Sequence, residues 1–169
     1  MALPVTFGQN AGTGNSKPRE QKKEMKALKK LQGNVVSATA KNSFAVDFSD
    51  VKNVTWQRGV MFDEAVFTKN GSQMTAYYDE NGKLVGTTQE KGFKDLPAKG
   101  QQELNGKYKD YQVSKIIFFD DNELNDTDMY LYGIQFEDED NYFAELQKGA
   151  QKLIVRIDAK GNVELFKKI

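Results

Sequence analysis

The sequence has 169 residues, a formal net charge of zero and 38% hydrophobic residues. It contains no cysteine and no histidine, which excludes disulfides, thiolate metal sites and the histidine-dependent hydrolytic triads. No apolar stretch reaches the ~20 residues that a helix needs to cross a bilayer, so we expect no membrane span. The composition predicts a globular protein that is not an enzyme and that has no catalytic residue, metal or cofactor.

The charge is unevenly distributed along the chain. Residues 17–32 carry seven basic and two acidic side chains, whereas residues 116–147 carry ten acidic side chains and no basic one. The basic stretch lacks the interleaved aromatic residues of nucleic-acid-binding segments, and the acidic half would repel a phosphate backbone. We therefore expect no nucleic-acid partner, and the acidic half favours a basic protein partner.

The first 31 residues predict a leader and one helix. Residues 1–16 are typical of a loop and lack a charged region followed by an apolar one, so we interpret them as the mature end of an exported chain. The expected location is accordingly periplasmic or secreted. Residues 17–31 favour a helix with few large apolar side chains.

The first half of the chain then predicts one helix followed by strands. Residues 36–48 favour a helix that places Phe44 and Phe48 on one face. Asn70-Gly71 is a strong hairpin signal, and we expect Trp56 to anchor the core. Alternating apolar residues predict strands at 60–68, 73–79 and 83–88.

The second half repeats this order with a longer loop. Asp95 is expected to cap a helix that has Pro97 in its first turn and ends near Tyr108. An acidic loop is predicted at 120–128. Strands are predicted at 112–119, 129–137, 141–147, 152–158 and 162–166, and their short connections indicate an antiparallel meander.

The acidic segments are candidate metal or catalytic sites. Asp79-Glu80-Asn81-Gly82 resembles the start of a calcium loop, but its glycine is at position 4 rather than the position 6 that an EF-hand requires. A turn in which Gly82 adopts a positive φ is the favoured interpretation. The acids at 120–128 and 137–140 are adjacent on turns, where they are expected to be solvated.

The turn sequence also indicates an internal repeat. DENGKLV, which begins at Asp79, aligns with DAKGNVE, which begins at Asp158. Each half follows the order helix, strand, hairpin, strand, turn and strand. We therefore predict a flexible leader and basic helix at 1–34, a first α-β repeat at 35–92 and a second at 93–169.

Four segments carry a resemblance to a known family: residues 43–56, 61–87, 95–116 and 153–165. They resemble the PepSY-like, beta-lactamase-inhibitor-like family of exported bacterial proteins. The resemblance implies an α+β fold of two tandem helix-plus-antiparallel-sheet repeats, with the helices packed on one face of the sheet. It also implies a non-enzymatic binding module, one version of which inhibits an envelope or secreted enzyme.

The two faces of the predicted sheet are both apolar. One face is expected to be buried under the helices and carries Val113, Tyr132, Ile134, Phe136, Leu146, Val155 and Val163. The other is the candidate partner-binding surface and carries Tyr77, Ile116, Phe118, Leu131, Phe143 and Ile154. An exposed patch of this kind would bind a protein.

Three alternatives stay open at this point. The second face could be covered by bulges, the leader helix or a second sheet, or the strand registers could slip by one residue. The protein could instead be a periplasmic sensor that holds a small ligand or a cation between the repeats. It could also be a structural protein of the envelope.

Overall fold

The structure is a computed structural model that describes residues 24–169. Within that range the chain forms two helices, α1 (Ala38–Asp47) and α2 (Ala98–Lys107), and ten strands. The strands before α2 are β1 (Val54–Arg58), β2 (Asp63–Lys69), β3 (Ser72–Tyr78) and β4 (Leu84–Glu90). Those after it are β5 (Gln112–Asp121), β6 (Met129–Leu131), β7 (Ile134–Phe136), β8 (Asn141–Lys148), β9 (Gln151–Asp158) and β10 (Val163–Lys168).

Eight of the strands form one antiparallel sheet in the order β1-β2-β3-β4-β5-β8-β9-β10. The remaining two, β6 and β7, pair only with each other in a small hairpin. The predicted antiparallel pairing is confirmed throughout the large sheet, but the meander is interrupted, because β5 pairs with β8 and the strand predicted at 129–137 lies outside this sheet. The fold is therefore mostly antiparallel sheet with two helices.

Helix α1 packs on strands β1–β3 through aromatic residues. It begins after Ser37, whose hydroxyl accepts a hydrogen bond from the backbone N–H of Ala40 at 3.0 Å. Phe44 is buried against the sheet, with its ring centroid 5.5 Å from Trp56 and 5.1 Å from Phe67. Trp56 thus anchors the core under α1, as the sequence predicted.

Helix α2 packs on the other half of the sheet through Leu104, which is buried. Gly100 allows a close approach, because a Cβ there would lie 2.9 Å from Cγ2 of Ile157. The predicted cap of this helix was wrong. Asp95 belongs to a short 3₁₀ turn, where its carboxylate accepts the backbone N–H of Gly92 at 2.7 Å.

The two Asp-x-x-Gly segments form the same turn at equivalent ends of the sheet. Oδ1 of Asp79 accepts the backbone N–H groups of Asn81 and Lys83, at 2.8 and 3.0 Å. Oδ1 of Asp158 likewise accepts the backbone N–H groups of Lys160 and Asn162, both at 2.9 Å. The prediction of a turn at residues 79–82 is therefore confirmed.

Each turn glycine also touches the first turn of a helix. Gly82 has a φ of +68°, and a Cβ built on it would lie 2.7 Å from the backbone nitrogen of Ala40. Gly161 has a φ of +83°, and its Cβ would lie 2.7 Å from the backbone nitrogen of Gly100. Each helix is thus seated on a turn that only glycine fits.

Residues 24–31 are not helical, so the helix predicted for 17–31 is wrong over that part, and the rest lies outside the described residues. The segment runs irregularly past the β1–β2 loop. The backbone N–H of Leu31 donates to Val60 O at 2.9 Å, and Nη1 of Arg58 donates to Gln32 O at 2.6 Å. Tertiary hydrogen bonds therefore override the helix propensity of this segment.

The single strand predicted at 129–137 is instead the β6–β7 hairpin. Tyr132 and Gly133 form its tight turn, with φ values of +54° and +81°. A tyrosine rarely adopts a positive φ, so the dipeptide is a weak turn signal in the sequence. Neither helix in the described part of the chain is long and apolar enough to cross a membrane.

We expect Gly82→Ala to lower the free energy of unfolding much more than Gly71→Ala does. Both glycines have a positive φ, which costs an alanine about 1 kcal/mol. Only Gly82 has close neighbours, whereas a Cβ on Gly71 meets nothing within 4 Å. The steric conflict should add about 1–3 kcal/mol, measured by urea denaturation. Equal losses for the two variants would contradict the proposed seating of α1.

Candidate functional site

The large sheet has a helix face, which packs on α1 and α2, and an opposite face that we call the far face. The helix face holds two apolar clusters, one under each helix. A third cluster lies on the far face. Its fully or largely buried members are Phe62, Tyr77, Val85, Phe119, Met129, Phe136, Phe143 and Ile154.

The β6–β7 hairpin covers the far face of the second half. The ring of Phe136 contacts three aromatic rings of the sheet, with centroids 5.5 Å from Phe119, 5.1 Å from Phe143 and 5.8 Å from Phe166. Met129 on the paired strand is also fully buried. The hairpin therefore acts as the cover of β5 and β8–β10.

Tyr132 fixes the tip of this hairpin to the sheet. Its hydroxyl donates to Oε1 of Glu145 at 3.1 Å, and its carbonyl accepts Nζ of Lys167. Burial, the nearby charge of Glu145 and the hydrogen bond to it raise the pKa of Tyr132 well above its usual range, so the hydroxyl stays a donor. The tip is thereby joined to β8 and to β10.

Residues 24–32 close one end of the covered region. Leu28 packs against the far-face cluster. The backbone N–H of Lys26 donates to Oδ2 of Asp128 at 2.6 Å, and the amide of Gln135 donates to the same oxygen at 2.9 Å. The buried carboxylate of Asp128 therefore joins this segment to the hairpin.

The six predicted partner-binding residues do not form one exposed patch. Tyr77, Phe143 and Ile154 lie on the far face as predicted, but they are 8%, 0% and 0% exposed. Leu131 lies in the hairpin and is half-buried. The expected open surface is thus covered here by a second, two-stranded sheet, which was one of the alternatives.

The other two predicted residues, Ile116 and Phe118, lie on the opposite face. Ile116 is buried in the cluster under α2, and the Phe118 ring stacks on Tyr142 with centroids 4.6 Å apart. A β-bulge between Val113 and Lys115 shifts the register of β5, so the alternation read from the sequence slips by one residue. Tyr132, Ile134 and Phe136, expected under the helices, belong to the hairpin instead.

The far face of β1–β3, which we call the open half, is uncovered in the part of the chain that the structure describes. Alternation along the strands places eight side chains there, of which Tyr77 is buried. Four of the others are exposed, namely Thr55, Gln57, Thr68 and Gln73, and three are half-buried, namely Glu64, Val66 and Thr75. The surface is dominated by hydroxyl and amide groups.

The open half is concave at the end where the chain enters β1. Residues 50–53 form one wall of a groove of about 680 Å³, and its floor includes Thr55, Val66, Thr68 and Gln73. The hydroxyl and amide groups of the groove can donate and accept hydrogen bonds, and Asp50 and Lys52 add one charge of each sign.

The segments considered as metal sites have other roles. In the first turn, Asp79 uses Oδ1 for two backbone N–H groups and Oδ2 for the Asn125 side chain at 3.1 Å. Asp140 accepts the backbone N–H of Asp121 at 2.8 Å. Across residues 24–169 there is no group of three histidine, cysteine, aspartate or glutamate residues placed to hold a metal ion.

Glu64 is a residue of the open half that sequence reasoning missed. It is half-buried near the start of β2, and burial raises the pKa of its carboxyl group. No hydrogen bond or ion pair is made by this carboxylate within residues 24–169. A glutamate inside an alternating strand is the one signal that could have found it.

Comparison with solved structures shows that the chain has a BLIP-like fold. A DUF2874 family protein from Bacteroides uniformis is 12% identical with a TM-score of 0.64, over 80% of this chain and 89% of that one. A Bacteroides eggerthii protein whose periplasmic location is inferred has the same identity and TM-score, with 80% and 88% covered. A BLIP-like protein from Bacteroides fragilis is 13% identical with a TM-score of 0.58, over 79% and 84%.

At these identities the likeness shows the fold alone. No protein-family model matches the sequence, and no curated protein matches it. The BLIP-like part of the sequence resemblance is supported by these structures, and the PepSY-like part stays a prediction.

We expect Phe143→Ala to cost about 3–5 kcal/mol of unfolding free energy, because the ring is fully buried between the sheet and the hairpin. Phe118→Ala should cost less, about 1–2 kcal/mol, since Phe118 is only half-buried. Urea denaturation of both variants measures the difference. A small loss for Phe143→Ala would show that the hairpin does not cover the sheet in solution.

We expect Glu64→Gln to raise the urea midpoint at pH 7. Burial raises the pKa of Glu64, so the folded state binds its proton more tightly than the unfolded state does. The free energy of unfolding therefore falls as the pH rises from the pKa that Glu64 has in the unfolded state to the higher pKa that it has in the folded state. The advantage of the glutamine should shrink as the pH falls to about 4, where the unfolded glutamate also takes up its proton. A lower midpoint at pH 7 would mean that the carboxylate has a stabilising partner.

Proposed function

We propose that the protein is a non-enzymatic, exported binding module whose partner is a protein that docks on the open half of the far face. The observation that carries this proposal is the asymmetry of the sheet. The hairpin covers the far face of the second half, while the far face of β1–β3 is left exposed and concave. A partner protein can cover the exposed part of the sheet face, as the hairpin covers the other part.

The chemistry of the open half supports a protein partner over a small molecule. Small-molecule sites are usually enclosed and mostly apolar. Here the groove is open, and its lining combines four residues with hydroxyl or amide side chains, two charged residues and four apolar residues. Polar side chains of this kind form the hydrogen-bonded rim of protein interfaces. The half-buried Val66 supplies an apolar contact on its floor.

The hairpin tip forms the border of this docking surface. Leu131 is half-buried at the tip, and Tyr77 lies at the edge of the covered region. Of the residues predicted from sequence, we propose these two as the border of the docking surface. The other four retain structural contacts inside the clusters or on the helix face.

The tandem-repeat interpretation belongs to the same proposal. Both halves have one helix followed by four sheet strands, and both carry an Asp-x-x-Gly turn that seats the helix. The hairpin is then an insertion between the first two strands of the second repeat. This division, at 35–92 and 93–169, explains how two similar units acquired one covered and one open face.

Export to the periplasm or beyond is the location that the comparisons favour, since one structural neighbour is described as periplasmic by inference. A BLIP-like neighbour favours inhibition of an envelope or secreted enzyme as one version of the binding role. The PepSY-like resemblance of the sequence points the same way. Binding through the open half is common to each of these versions.

Site-specific photocrosslinking tests the docking surface. A photoreactive residue at Thr68 should give a discrete crosslinked product with an envelope extract of the producing cells, because Thr68 is exposed on the open half. The matched control places the same residue at Val46, which is 79% exposed on α1. The captured protein is then purified, and its affinity for the unmodified chain is measured. Equal crosslinking at Val46, or none at Thr68, would contradict the proposal.

A further inference from the structure

We propose that Glu64 receives a cationic side chain, arginine or lysine, of the protein that docks on the open half. This inference rests on the proposed function and names the chemistry of the partner. The inference is based on the carboxylate of Glu64, which is half-buried and held at a fixed position on β2. Within the described part of the chain, no lysine or arginine forms an ion pair with it.

Glu64 is the second residue of β2, the middle of the three strands, and it lies at the end of the open half beside the β1–β2 loop. Its neighbours across the strands are Gln57 on β1 and Tyr77 on β3. Side chains on the same face of paired strands are close enough to interact. A group that reaches Glu64 therefore meets the Gln57 amide, which can accept a further hydrogen bond.

Gly59 provides the space for this carboxylate. The backbone N–H of Gly59 donates to Phe62 O at 2.9 Å, which fixes the β1–β2 connection. A Cβ on Gly59 would lie 2.7 Å from Oε1 of Glu64. The loop thus brings backbone against one side of the carboxylate without supplying a donor side chain.

The cations and acids around Glu64 are engaged elsewhere. Arg58 forms a two-point ion pair with the buried Asp63, at 2.7 and 2.9 Å, on the helix face. Glu90, at the end of β4 on the far face, pairs with Lys115 at 3.4 Å. Glu64 is therefore a charged group of the open half, at the end beside the β1–β2 loop, for which the described chain provides no counter-charge.

A half-buried carboxylate has lost part of its hydration, and a cation with N–H donors stabilises it most, because the hydrogen bonds between them are charge-assisted. The raised pKa of the Glu64 carboxyl, caused by burial, is consistent with this unmet requirement. A guanidinium fits best, because its planar fork can bind the carboxylate and still offer N–H groups to neighbouring hydroxyl and amide oxygens.

The test uses the full 169-residue chain, labelled with ¹⁵N, and two small probes. One is N-acetyl-arginine methylamide, and the other is the citrulline analogue, which has nearly the same shape and no charge. The arginine probe should shift the backbone amide signals around Gln57, Glu64 and Tyr77 saturably. Its affinity should exceed that of the citrulline probe by about tenfold, as for a hydrogen bond to a charged group.

Two variants locate the effect. Glu64→Gln should abolish the preference for arginine over citrulline while leaving the other amide signals in place. Glu90→Gln is the matched control, since it removes a carboxylate from the same face that already has a cation, and it should keep the preference. The urea midpoint of each variant verifies that it is folded.

Equal shifts by both probes, no shifts near Glu64, or arginine-specific shifts only at the acidic loops would each overturn the assignment of Glu64. Loss of crosslinking at Thr68 would instead overturn the docking surface itself. If Thr68 crosslinks but the arginine preference is absent, the partner docks without an ion pair to Glu64. The two proposals can therefore fail separately.

Discussion

The pairing of β4 with β5 is the interaction on which the rest of the structure depends. It joins strands β1–β4 to strands β5 and β8–β10, so that the two halves share one continuous sheet. Gly86 makes the join tight, because a Cβ there would lie 2.6 Å from the ring of Phe119 and from Asp120 O. Since hydrogen bonding continues across this junction, the far face of both halves becomes one surface.

The hairpin determines which part of this shared surface is exposed. Strands β6 and β7 are too short to form a stable sheet of their own, so they gain their stability by burying Met129 and Phe136 on the far face. That burial covers the far face of the second half. The tip is held by Tyr132 to Glu145 and Lys167, and the far face of β1–β3 stays uncovered in the described part of the chain. The hairpin thus divides the face into a covered and an open half.

Much of the fold could be predicted from the sequence, because alternation, the Asn70-Gly71 hairpin and the two Asp-x-x-Gly turns are local signals. The errors arose where contacts between distant parts of the chain determine the register or the bounds of a strand. The bulge near Val113 moved Ile116 and Phe118 to the helix face, and the Tyr132-Gly133 turn split one apparent strand in two. Glu64 could not be found from the sequence, because its lack of an ion-pair partner follows from which side chains lie beside it on β1 and β3.

The two halves of the far face therefore differ in what they contribute. Apolar rings under the hairpin favour folding, whereas the charged form of Glu64 works against it at neutral pH. A partner that supplies a cation would convert this cost into binding free energy, because the desolvation of the carboxylate is partly complete before the partner arrives. The same preorganisation disfavours partners that bring an acid or an apolar group to this point. Glu64 would then determine which partner is accepted, and the hydroxyl and amide groups around it would complete the interface.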